Sequence, residues 1–103
     1  MIARYWSART SREKAPHYAH HLENAVFAEL RKLDGFRNAM LLQRDIDDGV
    51  EVVVISFWES LESIRSFAGE PLDRAVVADL AVALLDDFDQ QVRHYEVVRT
   101  VAG

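Results

Sequence analysis

The stretch Val52-Val53-Val54-Ile55-Ser56-Phe57-Trp58-Glu59-Ser60 decides the fold class. Its β-branched and aromatic residues are typical of a β-strand, and the Ser60 that follows them is a preferred helix N-cap. An antiparallel strand with one face in water alternates apolar and polar residues, whereas this strand is apolar almost throughout. We therefore expect both faces of its sheet to be covered.

The other strands are predicted outward from this one. Residues 36–45 form a preceding strand, which Asp47-Asp48-Gly49 joins to residues 50–59 in a pattern typical of a hairpin. Residues 2–9 predict an aromatic-rich first strand, and valine-rich residues 90–100 predict the last one.

A long helix is predicted between the first two strands. Thr10 and Glu13 have the spacing of a capping box, although Pro16 favours a helix start nearer Lys14. Apolar residues then recur at three- and four-residue intervals as far as about Leu33 and form one stripe. The members of this stripe are Ala15, Tyr18, Ala19, Leu22, Ala25, Val26, Leu30 and Leu33.

A second helical region is predicted after the central strand. Ser60 caps a short helix that runs to Phe67, and Gly69 stops it. Pro71 opens a further helical stretch, although the pattern over residues 70–88 stays ambiguous. The predicted order, β-α-β-β-α-β, is the ferredoxin-like split of an α+β fold with an antiparallel sheet, in which the first and third strands are central.

Length, composition and charge narrow the function classes. The 103 residues suit a single domain over 1–103, and the absence of cysteine excludes disulfide scaffolds, thiolate zinc sites and cysteine nucleophiles. A net charge of −5 argues against a nucleic-acid partner. No apolar run reaches the ~18 residues of a membrane span, so we expect a soluble, cytoplasmic protein. No motif of nucleotide binding or of a serine nucleophile is present.

Three histidines cluster early in the long helix. His17 and His21 have the i, i+4 spacing of a two-histidine metal face. However, α-helical geometry points these two and His20 away from the apolar stripe, towards solvent, and no acidic residue completes an H-E-x-x-H arrangement. No metal site is predicted.

Glu29 is the opposite case, because it is predicted to lie roughly 40° from the centre of the apolar stripe. A buried carboxylate there could act as a general base or acid. The alternative is an edge residue that pairs with a basic side chain or reaches solvent near the end of the helix.

Aromatic residues cluster at positions 5–6, 57–58 and 94–95, on strands that the predicted fold makes near neighbours. Aromatic side chains that line a sheet under helices can form a flat apolar slot for a ring-bearing ligand. Core packing is the simpler role for any one of them.

The chain resembles the antibiotic biosynthesis monooxygenase-like family of dimeric α+β barrels. The resemblance rests on Leu33-Asp34-Gly35-Phe36, the stretch over residues 52–60, Ile64-Arg65-Ser66-Phe67-Ala68-Gly69 and His94-Tyr95-Glu96-Val97. It implies a homodimer that joins two sheets through their open faces into a dimeric α/β barrel, which agrees with the doubly apolar strand. It also implies a pocket between sheet and helices in each protomer.

The resemblance implies oxidation chemistry. Members of the family include cofactor-free oxygenases of polycyclic phenols, hydroquinone oxidases and haem-degrading enzymes. The positions on which haem degradation relies fall at Ser7, Phe67 and Val77, so that reaction is not expected. The remaining branch implies a cofactor-independent monooxygenase or oxidase, without metal or flavin, that acts on a small aromatic or quinol-type substrate.

Site residues follow from the same resemblance. The substrate ring is expected to stack near Phe67 and Tyr5, with a hydrogen bond from Ser7, a wall formed by Trp58, and His94 as the candidate base. Odd positions of the first strand are expected to face the pocket. For His94 the alternative is a satisfied strand histidine.

Two other function classes stay open. One is a non-catalytic dimeric barrel that binds an apolar ligand or a partner, and the other is an isomerase or decarboxylase on the same fold. A pocket that neither His94 nor Glu29 reaches would favour binding over catalysis.

Overall fold

The computed structural model describes all 103 residues of the protein. The predicted β-α-β-β-α-β order is confirmed, with the long helix in three segments, the last predicted strand shortened to Arg93–Glu96, and one further two-residue strand before it. The elements are β1 (Ile2–Thr10), α1 (Ala15–His21), a π-helical segment (Leu22–Phe27), α2 (Ala28–Leu30), β2 (Phe36–Ile46), β3 (Gly49–Trp58), α3 (Leu61–Ala68), α4 (Asp79–Leu84), β4 (Asp87–Phe88) and β5 (Arg93–Glu96).

The strands form one antiparallel sheet in the order β2-β3-β1-β4, and β5 also pairs with β1. The central positions of β1 and β3 are those that the ferredoxin-like α+β fold predicts. Trp6 lies opposite Val54, and Arg4 lies opposite Ser56. Because opposed residues share a face of the sheet, even-numbered residues of both strands point to the helices and odd-numbered ones point away.

The hairpin between β2 and β3 is tight, with Asp47 and Asp48 as its two turn residues and Ile46 paired with Gly49. Gly49 packs against the end of β1. A Cβ atom on it would lie 2.4 Å from the carbonyl oxygen of Thr10. Only glycine therefore lets the hairpin approach β1 this closely.

The long helix begins at Ala15, with Pro16 in its first turn, and ends at Leu30. The expected start near Lys14 is thus confirmed, whereas the capping box at Thr10 is wrong. Thr10 belongs to β1, where its hydroxyl donates to the carbonyl oxygen of Leu84 at 2.6 Å.

The π-helical segment Leu22–Phe27 changes which side chains the helix buries. A π turn bonds i to i+5 and takes about one residue more than an α turn. Residues beyond it are therefore rotated out of the phase that a continuous α-helix predicts. Ala25, expected in the apolar stripe, is exposed, and so is Glu29, which was predicted near the centre of the stripe, whereas Leu30 is buried as predicted.

Two apolar clusters pack on the helix side of the sheet. The larger one joins Trp6 and Val52 of the sheet to Tyr18 and Leu22 of the long helix. The smaller one packs the fully buried Trp58 against α3, and it is built on Leu30, Trp58 and Ile64. Ser60 caps α3 and Gly69 ends it, as predicted.

The predicted helix after Pro71 is wrong, because no helix begins before Asp79. The chain instead pairs with the segment before β5, where Val92 N–H donates to the carbonyl oxygen of Asp73 at 2.7 Å. Ala75 N–H likewise donates to the carbonyl oxygen of Gln90 at 2.9 Å. These non-local bonds hold residues 71–78 as an irregular segment across the open side of the core.

The second face of the sheet is apolar and has no layer over it. Its side chains include Val53, Ile55 and Phe57 of β3, beside Met40 and Leu42 of β2. Met40 is 39% exposed and Leu42 is 44% exposed. None of the helices combines the length and apolar character that crossing a membrane requires.

Replacement of Gly49 by alanine is expected to destabilise the protein by about 1–3 kcal/mol, because the added Cβ meets a backbone oxygen that cannot move freely. At this chain length, each kcal/mol corresponds to a loss of roughly 4–8 °C in melting temperature. Gly103→Ala is the matched control, since nothing lies within 4 Å of its added Cβ. Equal melting temperatures for Gly49→Ala and the unmodified protein would contradict this account.

Candidate active site

A cavity of about 70 Å³ lies between the helix-side face of the sheet and the helices. Its walls are mostly apolar, and its polar side chains are Arg4 and Ser56 from the sheet and His21 from α1. Val76, in the segment that crosses the core, is 51% exposed and marks the rim. The other walls include Trp6, Leu22, Val26, Val54, Phe67 and Ala81.

Arg4 is the cationic residue of the cavity, and it is only 5% exposed. Its guanidinium donates to the carbonyl oxygens of Leu72 at 2.8 Å and Arg74 at 3.0 Å, and contacts His94 Nε2 at 2.9 Å. Three of the five guanidinium N–H groups are thereby used, and two remain. Burial lowers the pKa of Arg4 to about 10, while Asp73 opposes the shift. The group therefore stays charged at neutral pH.

His94 lies on β5 directly opposite Arg4 and does not line the cavity. Since Arg4 can only donate, His94 Nε2 accepts this hydrogen bond and its ring is neutral. Burial lowers the pKa of His94, the charge of Arg4 lowers it further, and Asp73 acts in the opposite direction. His94 thus accepts a hydrogen bond from Arg4 outside the cavity. It does not lie in the cavity wall, where the predicted contact with a substrate would require it.

His21 lines the cavity from the helix side and is only 8% exposed. Its ring packs against that of Tyr18, with 6.4 Å between centroids, and its Nε2 is buried without a hydrogen-bond partner. The prediction that His21 faces solvent is wrong. The prediction used the direction of the apolar stripe averaged over one continuous helix from Ala15 to Leu33. In α1 alone the buried side runs through Ala15, Tyr18 and Leu22, and His21 lies close to that side.

An aromatic stack forms one end of the cavity. Phe67 lines the cavity and stacks on Trp58, with 5.9 Å between ring centroids, and Phe36 meets Trp58 edge-on at 5.3 Å. The Arg4 guanidinium lies 5.7 Å from the Phe67 ring centre. Trp58 itself is buried behind Phe67, where its indole N–H donates to Ser56 Oγ at 2.9 Å. It supports the wall and does not line it.

Tyr5 and Ser7 lie on the opposite face of the sheet from the cavity. They pair with Ile55 and Val53, whereas Arg4 and Trp6 point into the cavity. The expectation that odd positions of β1 face the pocket is therefore wrong by one residue. Because side chains alternate with a period of two, a shift of one residue moves the whole set to the other face.

Glu29 is exposed and forms an ion pair with Lys32 at 3.2 Å, so it does not reach the cavity. The π-helical segment that precedes it rotates it away from the buried side, while Leu30 is buried as predicted. Glu29 is therefore the edge residue paired with a basic side chain that the sequence analysis gave as the alternative.

The residues that sequence reasoning missed are Arg4, Trp6, Ser56 and His21. For the strand residues a usable signal existed, because Trp58 shares its face with Ser56 and, across the pairing, with Arg4. For His21 no local signal existed, since the π-helical segment has no recognisable pattern. No group of three or more His, Asp or Glu side chains is arranged to hold a metal ion.

The lowered pKa of His94 makes stability depend on pH. Below its ordinary pKa of 6.5 the unfolded chain binds the proton more readily than the folded one. We therefore expect the free energy of unfolding to fall as the pH drops through 6.5, and this fall to stop below the folded pKa. His94→Gln keeps a neutral acceptor for Arg4 and is expected to remove this part of the slope in denaturation series from pH 5 to 8. The exposed control His20→Gln should retain it, and an unchanged slope in His94→Gln would refute the assignment.

Solved structures share this architecture over almost the whole chain. A protein of Bacillus cereus assigned to the antibiotic biosynthesis monooxygenases has a TM-score of 0.69 and 18% identity, over 100% of this chain and 96% of that one. SnoaB, a cofactor-independent oxygenase from Streptomyces nogalater, has a TM-score of 0.61 and 14% identity, over 99% and 96%. The ActVA-Orf6 monooxygenase of Streptomyces coelicolor, in complex with nanaomycin D, has a TM-score of 0.63 and 20% identity, over 98% and 89%.

At these sequence identities the matches show a common fold but do not indicate which substrate the chain would bind. No curated protein sequence matches the chain. The profile of the antibiotic biosynthesis monooxygenase family, however, matches residues 1–79, which hold β1 to β3, α3 and the aromatic stack. The chain therefore belongs to the antibiotic biosynthesis monooxygenase family.

Proposed function

We propose that the protein is a cofactor-independent monooxygenase that oxidises a small aromatic or quinol-type substrate in the cavity between sheet and helices. One observation carries the proposal: the buried guanidinium of Arg4 is the cation in the wall of a mostly apolar cavity. A charge in such a place is costly unless it has partners, and Arg4 has three with two N–H groups left over.

Arg4 suits a substrate that becomes an anion. A phenol or enol must lose its proton before it can reduce dioxygen directly, and the resulting negative charge is stabilised by a fixed cation in a water-poor site. The interaction is stronger there than in water because the local dielectric constant is low. In this role Arg4 would hold the oxygen of the substrate anion.

The apolar walls suit the other two reactants. An aromatic ring can stack on Phe67, with Trp58 behind it, and dioxygen is itself apolar. In this proposal His94 is a positioning residue for Arg4, and Tyr5 and Ser7 have no contact with the substrate.

The reaction balances without a cofactor. The substrate anion supplies the electrons, and a bond forms between its ring carbon and one atom of dioxygen. The resulting hydroperoxide loses water to leave a carbonyl. An anthrone thus loses two hydrogen atoms at one carbon and gains one oxygen atom there, and the second oxygen atom leaves as water.

A non-catalytic ligand-binding role is the second candidate, and one observation favours it. Neither His94 nor Glu29, the titratable groups predicted from sequence, lines the cavity. Binding of an apolar or anionic ring would need only the apolar walls and Arg4.

Oxygen uptake separates the two functions. We expect the protein to consume dioxygen with members of a panel of anthrones and hydroquinones at pH 6–8. Arg4→Met should lower kcat/KM by roughly 10²–10³, the usual cost of one oxyanion donor. Arg93→Met is the matched control, because Arg93 lies over the Tyr5 ring on the opposite face of the sheet.

Other outcomes would redirect the assignment. Binding of panel members without oxygen uptake would support the non-catalytic role. Product formation under strictly anaerobic conditions would instead identify an isomerase or decarboxylase, because an oxygenase stops without dioxygen.

We also propose that two copies of the chain pair through the uncovered face of the sheet. Its side chains Val53, Ile55, Phe57, Met40 and Leu42 form an apolar surface that no part of the same chain covers. Exposed apolar surfaces of this kind mark sites of association.

The dimer predicts a hydrodynamic mass near twice the chain mass of 11.8 kDa at micromolar concentration. Ile55→Lys should reduce it to the mass of one chain, because a charge in the middle of the interface would be buried without a partner. Leu80→Lys is the control, since Leu80 is already 59% exposed elsewhere. A monomeric unmodified protein would exclude this pairing.

A further inference from the structure

The cavity is smaller than the space that an aromatic ring occupies. Its volume is about 70 Å³, whereas an engineered apolar cavity that holds one benzene molecule in another protein measures roughly 150 Å³. Protein interiors are close-packed, so the missing space has to come from a wall that moves. Entry of a ring-bearing ligand therefore requires one side of the cavity to open.

The wall best able to move belongs to residues 71–78, the irregular segment that crosses the open side of the core. Most other wall residues belong to helices or to the paired strands β1 and β3. Val76, Val77 and Ala78 also line the cavity, but they lie outside regular structure and their N–H groups form no backbone hydrogen bond. Segments with few hydrogen bonds open locally at a lower free energy than the centre of a sheet.

Four hydrogen bonds tie this segment to β1 and to the chain before β5. Two of them are donated by the guanidinium of Arg4 to carbonyl oxygens of the segment, and two are the backbone bonds that involve Asp73 and Ala75. Only three residues separate Ala75 from the start of α4 at Asp79. The residues that line the cavity therefore cannot move far outward until these bonds break.

We propose that residues 71–78 are a lid that swings outward to admit a ring-bearing ligand, and that Arg4 is its latch. This inference rests on the proposed function only for the kind of ligand that enters. When the lid opens, the Arg4 guanidinium loses its acceptors on Leu72 and Arg74, which is costly for a buried cation. A negatively charged oxygen on the ligand replaces them, so the latch also favours ligands that carry one.

A reversible lock can be built across the lid. Arg74 and Gln91 face each other in an antiparallel bridge between two flanking backbone hydrogen bonds. Such a non-hydrogen-bonded pair has its Cα atoms about 4.5 Å apart, within the range of roughly 4.4–6.8 Å that a disulfide spans. Both residues are exposed, and the protein has no cysteine of its own. The double variant Arg74→Cys/Gln91→Cys therefore contains a single pair of thiols, placed to close the lid when oxidised.

The first test compares the oxidised and reduced forms of this double variant. We expect the reduced form to bind 2-naphthol as the unmodified protein does, in fluorescence titrations under nitrogen. The oxidised form should bind it at least ~10-fold more weakly, because a locked lid removes the state that admits the ligand. Arg74→Cys alone, treated with the same oxidant, is the matched control and should bind like the reduced form. Equal affinities of the two forms would overturn the inference, as would an unmodified protein that binds no 2-naphthol.

A second measurement uses the unmodified protein and so does not depend on disulfide formation. The amide protons of Ala75 and Val92 donate the two backbone bonds of the lid, so they should exchange with solvent faster than amides in the middle of β3. They should also show the same protection as each other, because one opening breaks both bonds. Exchange of these two amides only at the rate set by global unfolding would contradict a lid.

The latch is tested by Arg4→Met in the same exchange experiment. Loss of two hydrogen bonds from a charged donor should raise the exchange rates of the Ala75 and Val92 amides by at least ~10-fold relative to amides in the middle of β3. Arg93→Met, on the opposite face of the sheet, should leave them unchanged. Unchanged relative rates in Arg4→Met would overturn the role of Arg4 as the latch.

Turnover distinguishes failure of this inference from failure of the proposed function. Oxygen uptake with anthrone at the same rate by the oxidised and reduced double variant would overturn the lid and leave the oxygenase intact. Binding of 2-naphthol that depends on the redox state of the double variant, without oxygen uptake by the unmodified protein, would overturn the oxygenase and support the lid.

Discussion

The antiparallel pairing of β1 with β3 is the constraint on which the rest of the structure depends. It sets Arg4 opposite Ser56 and Trp6 opposite Val54, so that one face of two adjacent strands supplies the sheet wall of the cavity. Because alternate side chains leave a strand on opposite sides, the same pairing directs Tyr5 and its neighbours to the other face. One register therefore creates two distinct surfaces: a cavity under the helices and an apolar face that has no cover.

Arg4 connects this sheet to the part of the chain without regular structure. Its bonds to the carbonyl oxygens of Leu72 and Arg74 tie down the segment that carries the rim residue Val76, while His94 supports it from β5. A buried cation that loses one partner becomes costly, so rim, sheet and charge are energetically coupled. The same charge that would stabilise a substrate anion thus also holds the entrance of the cavity in place.

Local patterns predicted much of the fold and little of the site. The hairpin at Asp47-Asp48-Gly49, the Ser60 cap and the central position of the apolar strand follow from residues close together in sequence, and the structure confirms them. Glu29 and His21 were misplaced for one reason: the π-helical segment between them alters the rotation per residue, which a regular α-helical period cannot anticipate.

The sequence by itself determined the order of elements, the family and the apolar character of both faces of β3, because these depend on turn residues, caps and apolar periodicity within a few positions. Only the tertiary structure decided which face of β1 lines the cavity and which histidine lies in the cavity wall. The contact between Arg4 and His94 spans 90 positions, and the cavity joins residues from both ends of the chain. Such choices rest on the registers of distant strands and on helix rotation, and a shift of one residue reverses them.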